Sequence, residues 1–213
     1  MEKTTKKNLG TAAVLGMILT AGLGYYAFTQ DLSQSDATAL DKIGTAYKEA
    51  MNSVGNGQTA AIDKFMADYA APGDFQATLH TGQVVTNGAE FKTYLATMKD
   101  LLEIGGAAPN GKYEFRDIKT QVRIPVGDTI FSAGTTTEWV QAATTDKATG
   151  KKILGAPLEY GTLWGAVLKK DKAGAWKLHR ANVKVVSGID AAKLAALRAL
   201  AAASLPKLKQ ADN

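Results

Sequence analysis

The chain has 213 residues, no cysteine and a formal charge of +5. Disulfides, thiolate metal sites and a cysteine nucleophile are thereby excluded. Residues 1–28 hold three Lys and one Glu and residues 190–213 four basic and two acidic side chains, so the ends carry +4 and the centre only +1, too balanced for a nucleic-acid footprint.

Residues 1–8 form a short basic segment with Lys3, Lys6 and Lys7, and Leu9 to Phe28 follow as one apolar run, LGTAAVLGMILTAGLGYYAF. As a helix this run measures about 30 Å, the thickness of the bilayer hydrocarbon. The basic flank predicts that the N-terminus stays inside and the rest lies outside. A cleaved secretory signal is the competing reading, but the run exceeds the usual apolar core of about 7–15 residues, and Tyr25, Tyr26 and Phe28 stand where small cleavage-site residues belong. Ala12, Gly16, Thr20 and Gly24 recur four apart and predict a groove for close helix packing.

Residues 29–36, TQDLSQSD, read as a polar tether. Asp36 is expected to cap a first helix running to about Val54, with Leu40, Ile43, Tyr47, Met51 and Val54 at helical spacing. A second helix carries Ile62, Phe65, Met66 and Tyr69 and ends at Pro72-Gly73-Asp74. Short strands are expected over Phe75 to His80 and Gln83 to Thr86, and a third helix with Phe91, Tyr94, Leu95, Met98, Leu101 and Leu102 follows Asn87-Gly88. The period then changes to two. Ile118, Thr120, Val122, Ile124 and Val126 alternate with other residues, and Gly127-Asp128 turns into TIFSAGTTTEWVQA. DKATGKK and DKAGAWK bound two more strands, about Leu158 to Leu168 and Trp176 to Ser187. Helices followed by a meander predict an α+β domain over residues 37–187, and residues 188–213 are expected to form a C-terminal helix and tail. In that helix Leu194, Leu197 and Leu200 make an apolar stripe expected to meet a partner, the domain or the membrane surface.

The stretches FMADYAAPGDFQATLHTGQVVTNGAEFKTYL and YGTLWGAVLKKDKAGAWKLHRANVKV resemble the family that includes nuclear transport factor two, ketosteroid isomerase and the polyketide-cyclase-like proteins. The resemblance implies a curved antiparallel sheet wrapped on three helices as a cone-shaped barrel. In the isomerase branch an aspartate shuttles the proton while a tyrosine and a protonated acid hold the oxyanion. By that resemblance Tyr47 falls at the tyrosine, Leu79 or His80 at the aspartate, and Thr162 at the second acid. Two of the three groups are thus missing, and the mechanism does not carry over.

His80 and Tyr47 remain the candidate catalytic residues, since an imidazole can act as base where the family has a carboxylate. Tyr47, Phe65, Tyr69, Phe91, Trp139, Tyr160, Trp164 and Trp176 either line a pocket for a small apolar ligand or simply fill the cone. Glu138 and Arg180 lie on strands whose faces the sequence leaves open. His80 and His179 have no carboxylate cluster beside them, so neither metal nor cofactor is expected. The reading that follows is a single-pass protein of a bacterial inner membrane with a periplasmic domain. It acts as an accessory or assembly subunit with other membrane-protein subunits, architecturally like the bitopic subunits of type IV secretion. The alternative is a small-molecule binder or an isomerase- or cyclase-like enzyme using the cone.

Overall fold

The structure is a computed structural model and describes residues 32–105, 108–189, 191–192, 195, 199 and 209–210. The proposed membrane segment, with Ala12, Gly16, Thr20 and Gly24, lies outside them, as do Leu194, Leu197 and Leu200. Among the described residues no helix is long and apolar enough to cross a membrane. Ala191, Ala192, Ala195 and Ala199 are helical and exposed.

Helix α1 spans Gln34–Gly55, α2 Ala60–Tyr69 and α3 Gly88–Leu101. The cap of α1 is Ser33, three residues earlier than expected: its Oγ accepts from the Asp36 amide at 3.1 Å and donates to Asp36 Oδ2 at 2.9 Å. Ser33 is thus the cap, and Asp36 occupies the acidic place of the first turn. That leaves its carboxylate free to receive Trp176 Nε1 at 2.8 Å and Lys170 Nζ at 2.9 Å. These bonds, Lys170 foremost and then Trp176, hold the Asp36 carboxyl below its ordinary range. One side chain therefore starts the helix and fastens it to the sheet. At the other end Asn52 grips the strand that holds Phe115, where its Oδ1 accepts from the Phe115 amide at 2.8 Å and its Nδ2 donates to the Phe115 carbonyl at 3.1 Å. The amide side chain takes the place of a neighbouring strand.

The strands are β1 (Gln76–Thr78), β2 (Gln83–Val85), β3 (Lys112–Val126), β4 (Thr129–Gln141), β5 (Ala143–Thr145), β6 (Lys152–Leu154), β7 (Leu158–Lys170), β8 (Trp176–Ser187) and β9 (Lys209–Gln210). Seven form one sheet in the order β3-β4-β7-β8-β1-β2-β9, and β5 pairs with β6 alone. The sheet is mixed rather than wholly antiparallel, because β1 runs parallel to β8, Ala77 facing Ala181. The cause lies upstream: Ala70 already forms a parallel bridge with Leu178, so the chain leaving α2 enters the sheet in the direction of β8. The β1 strand is also shorter than expected. The turn takes residues 79–82, with the Gly82 amide on the Leu79 carbonyl, and places His80 in the turn.

Two irregularities bend β3, between Phe115 and Asp117 and between Thr120 and Val122. Each bulge adds a residue and reverses which parity faces inward. The alternation from Ile118 to Val126 therefore does not share one face. Ile118 and Thr120 look into the cone, opposite Thr136 and Gly134, whereas Val126 is 57 % exposed. The core lies between the concave sheet and the helices, built from Ile43, Met51, Ile62, Phe65, Val85, Phe91, Tyr94 and Phe115 among others.

The Asp36 contacts carry a pH dependence. A carboxyl whose folded value lies below its unfolded one stabilises above the unfolded value of about 4, and the contribution disappears as pH falls through the folded value. Asp36→Asn is therefore expected to lower Tm by roughly 2–4 °C at pH 7. The gap to the unaltered chain should close below about pH 4. Thermal denaturation across pH 2 to 8 checks this.

Candidate functional site

The inner face of the sheet is fixed by strand parity. On β4 the residues Ile130, Ser132, Thr136 and Glu138 are buried and their neighbours point away. Glu138 stands opposite Phe115 on β3 and Tyr160 on β7, and is 5 % exposed. A buried carboxylate must be hydrogen-bonded or paired, and here three hydroxyls converge on it. Tyr113 and Tyr160 each donate to Oε2 at 2.8 Å, and Thr136 donates to Oε1 at 3.1 Å. The single proton of Thr136 being used on Glu138, Thr162 must donate to Thr136, at 2.5 Å. A second chain of hydroxyls lies behind the first. The Tyr94 hydroxyl bonds Thr81 Oγ1 at 2.9 Å and approaches His80 Nε2 at 3.4 Å, and Thr81 bonds Gln83 Oε1.

Glu138 borders two cavities. The first, about 130 Å³, lies beside α1 and is walled by Leu40, Tyr47, Phe65, Phe91, Phe115 and Trp164, with Thr136 and Thr162 at the Glu138 end and Arg123 also in its wall. The second, about 260 Å³, lies between α3 and the far ends of β4 and β7, and is bordered by Met51, His80, Tyr94, Met98, Tyr113 and Tyr160, with Lys99 in its wall. Room for Trp164 depends on Gly134, its partner on β4. A methyl group there would collide with the Lys119 carbonyl oxygen and come within 2.9 Å of the indole.

The phenols around the carboxylate are all hard to ionise. Burial, and after it the Glu138 charge, pushes the hydroxyls of Tyr47, Tyr113 and Tyr160 upward. Burial does the same for Tyr94, against the opposing effect of its Thr81 bond. Tyr113, Tyr160 and Tyr94 serve as fixed donors.

The expected site residues are thus divided. Tyr47, Phe65, Phe91 and Trp164 border the first cavity, and His80 and Tyr160 the second. Tyr47 and His80 do not meet in one cavity; Glu138 stands between the two. Tyr69 sits behind Phe65, ring centroids 5.6 Å apart. Trp139 is on the outer face, with the Arg116 guanidinium 5.5 Å above its ring, because it is one residue out of phase with Glu138. Trp176 is held at the start of α1 by Asp36. Arg180 lies outside too: with His179 Nδ1 at 2.7 Å it clasps Asp74 and ties the α2–β1 loop to β8. Among the described residues no three His, Asp or Glu side chains gather as a metal site would require.

Sequence reasoning left the face of Glu138 undecided and passed over Tyr113, Tyr94, Thr81 and Thr136 as site residues. The signal available was the phase of β4, in which Glu138 is even-numbered with Ile130 and Ser132.

Chemically, the arrangement differs from an isomerase. There, phenol and acid donors aim at a substrate oxygen. Here Tyr113 and Tyr160 spend their protons on Glu138 and Tyr94 is bonded to Thr81. What faces the open volume is a carboxylate.

No family model and no curated protein matches the chain. Solved structures do. The Kfla4162 protein from Kribbella flavida is similar at TM-score 0.51 and 7 % identity, over 78 % of this chain and 99 % of that one. An NTF-2 like protein of unknown function from Pseudomonas aeruginosa matches at 16 % identity and TM-score 0.41, over 71 % and 98 % of the two chains. A ketosteroid isomerase-like protein from Erwinia carotovora atroseptica matches at 19 % identity and TM-score 0.41, over 73 % and 99 %. Likeness at such identities concerns fold and not activity. The curved mixed sheet on three helices fits the cone that the resemblance to the nuclear transport factor two family implies.

Proposed function

We propose that this protein is a membrane-tethered binding domain whose cone takes up a small molecule. The observation that carries the reading is the open volume on both sides of the buried Glu138, about 130 and 260 Å³. A cone serving only as a scaffold has no need of such space, since interiors are close-packed and a void forfeits contacts. Nor has a scaffold reason to bury a carboxylate there, where well-packed apolar residues are as stable or more so. Binding is favoured over proton transfer because the phenols nearest the carboxylate are committed to it. The assembly-subunit reading draws on Leu194, Leu197 and Leu200 and on the Ala12, Gly16, Thr20 and Gly24 groove, whereas the binding reading draws on the cone itself.

Gly44 offers the test. It lies on α1 in the wall of the first cavity, and a Cβ built there meets nothing within 4 Å. Gly44→Ala should stabilise the fold by about 0.5–1 kcal/mol, because Gly within a helix loses more conformational freedom than Ala. Gly44→Leu should fold and fill the cavity mouth. The full chain purified in mild detergent is expected to release a small molecule on solvent extraction, detected by mass spectrometry, and the Leu variant is expected to release less. Equal release from both would show that the cone is not where it binds.

The tether rests on the length and apolarity of Leu9 to Phe28 and on the basic residues before them. The chain is expected in the membrane fraction, resistant to alkaline carbonate, with its first residues intact. A mature N-terminus beyond residue 20 would remove this part of the proposal.

A further inference from the structure

We infer that the molecule taken up beside α1 is a small organic cation, a protonated amine with an apolar body, whose ammonium group sits on Glu138. The inference deepens the binding reading above and rests on it.

Glu138 is the buried charge that takes part in no ion pair found among the described residues. Its partners are three hydroxyls, and the ion pairs among the described residues all lie elsewhere. The two long cations in the cavity walls have carboxylate partners: Arg123 pairs through Nη2 with Asp41 at 2.5 Å, its Nε being left without a hydrogen-bond partner, and Lys99 pairs with Asp100 at 3.3 Å. Arg123 is also remote. Its partner on β4 is Ser132, six residues from Glu138 and hence about 20 Å along the strand. Hydroxyl bonds offset part of the cost of burying a carboxylate, but only an opposite charge cancels its field in an apolar surround.

The geometry also selects the side from which that charge arrives. An ionised carboxylate oxygen has about two acceptor positions. Oε2 uses both on Tyr113 and Tyr160, whereas Oε1 has only Thr136. Thr136 borders the cavity beside α1, so Oε1 is the carboxylate oxygen on that side. The walls there are Tyr47, Phe65, Phe91, Phe115 and Trp164, whose ring faces attract a cation. The volume of about 130 Å³ compares with the roughly 150 Å³ of an apolar cavity that holds benzene. One ring or a short alkyl body fits. A neutral molecule of that size would leave the carboxylate unmatched, and an anion seated beside Glu138 would be repelled.

Three probes of one shape decide the matter: benzylamine, benzyl alcohol and benzoate, titrated calorimetrically at pH 7 into the full chain in detergent. Benzylamine is expected to bind at least about tenfold more tightly than benzyl alcohol, with benzoate weakest. Glu138→Gln, which keeps the shape and removes the charge, should abolish that preference. If benzyl alcohol binds as well as benzylamine, the ligand is not chosen by charge and this inference falls while the binding reading stands. If none of the three binds, both fall. A preference that survives in a folded Glu138→Gln chain would place the cation elsewhere and overturn the assignment. Should the variant not fold, the ranking on the unaltered chain decides.

Discussion

The interior of this protein is organised around the burial of one carboxylate. Glu138 cannot be placed on the concave face of a sheet without partners, and the neighbouring strands supply them in register. Tyr160 lies directly across on β7, Tyr113 reaches from β3, and Thr136 precedes it by two residues on its own strand. Thr162 follows as the donor that completes Thr136. The same polar groups border the open volume on either side.

The cone retains its shape because α1 is fixed at both ends to parts of the sheet far away in sequence. Asp36 holds the start of the helix against β7 and β8 through Lys170 and Trp176. Asn52 holds its end against β3 by taking both backbone groups of Phe115. Between these points Leu40, Ile43, Gly44 and Tyr47 roof the first cavity. A helix pinned at its ends can stand over a partly open interior, where a helix held by packing alone would settle into it.

Likeness of fold leaves the chemistry to the site. Leu79, His80 and Thr162, which the sequence resemblance would match to the isomerase acids, carry no carboxylate, and the buried carboxylate stands on β4. The Thr162 hydroxyl does lie inside the cone, fully buried. Its part there is to support Thr136 rather than to polarise a substrate. Tyr47 packs edge-on against Phe65 and Phe115 as part of an aromatic wall.

What the sequence determined by itself was whatever depends on neighbours in the chain. The three helices followed from apolar spacing, the ends of the long strands from Gly127-Asp128 and DKAGAWK, and the α+β class from their order. Even so, the first helix starts at Ser33 rather than Asp36, because Asp36 is drawn to Lys170 and Trp176, more than 130 residues away in sequence. Only the tertiary structure decided which face each strand turns inward. An alternating strand has two equivalent faces, and a single bulge exchanges them. Hence Trp139 stands outside, Glu138 inside, and Val122 through Val126 are out of phase with Ile118 and Thr120. The direction of β1 was likewise beyond reach, since it comes from a bridge between Ala70 and Leu178. The site consists of side chains from β3, β4, β7 and three helices, and only closure of the sheet brings them to one carboxylate.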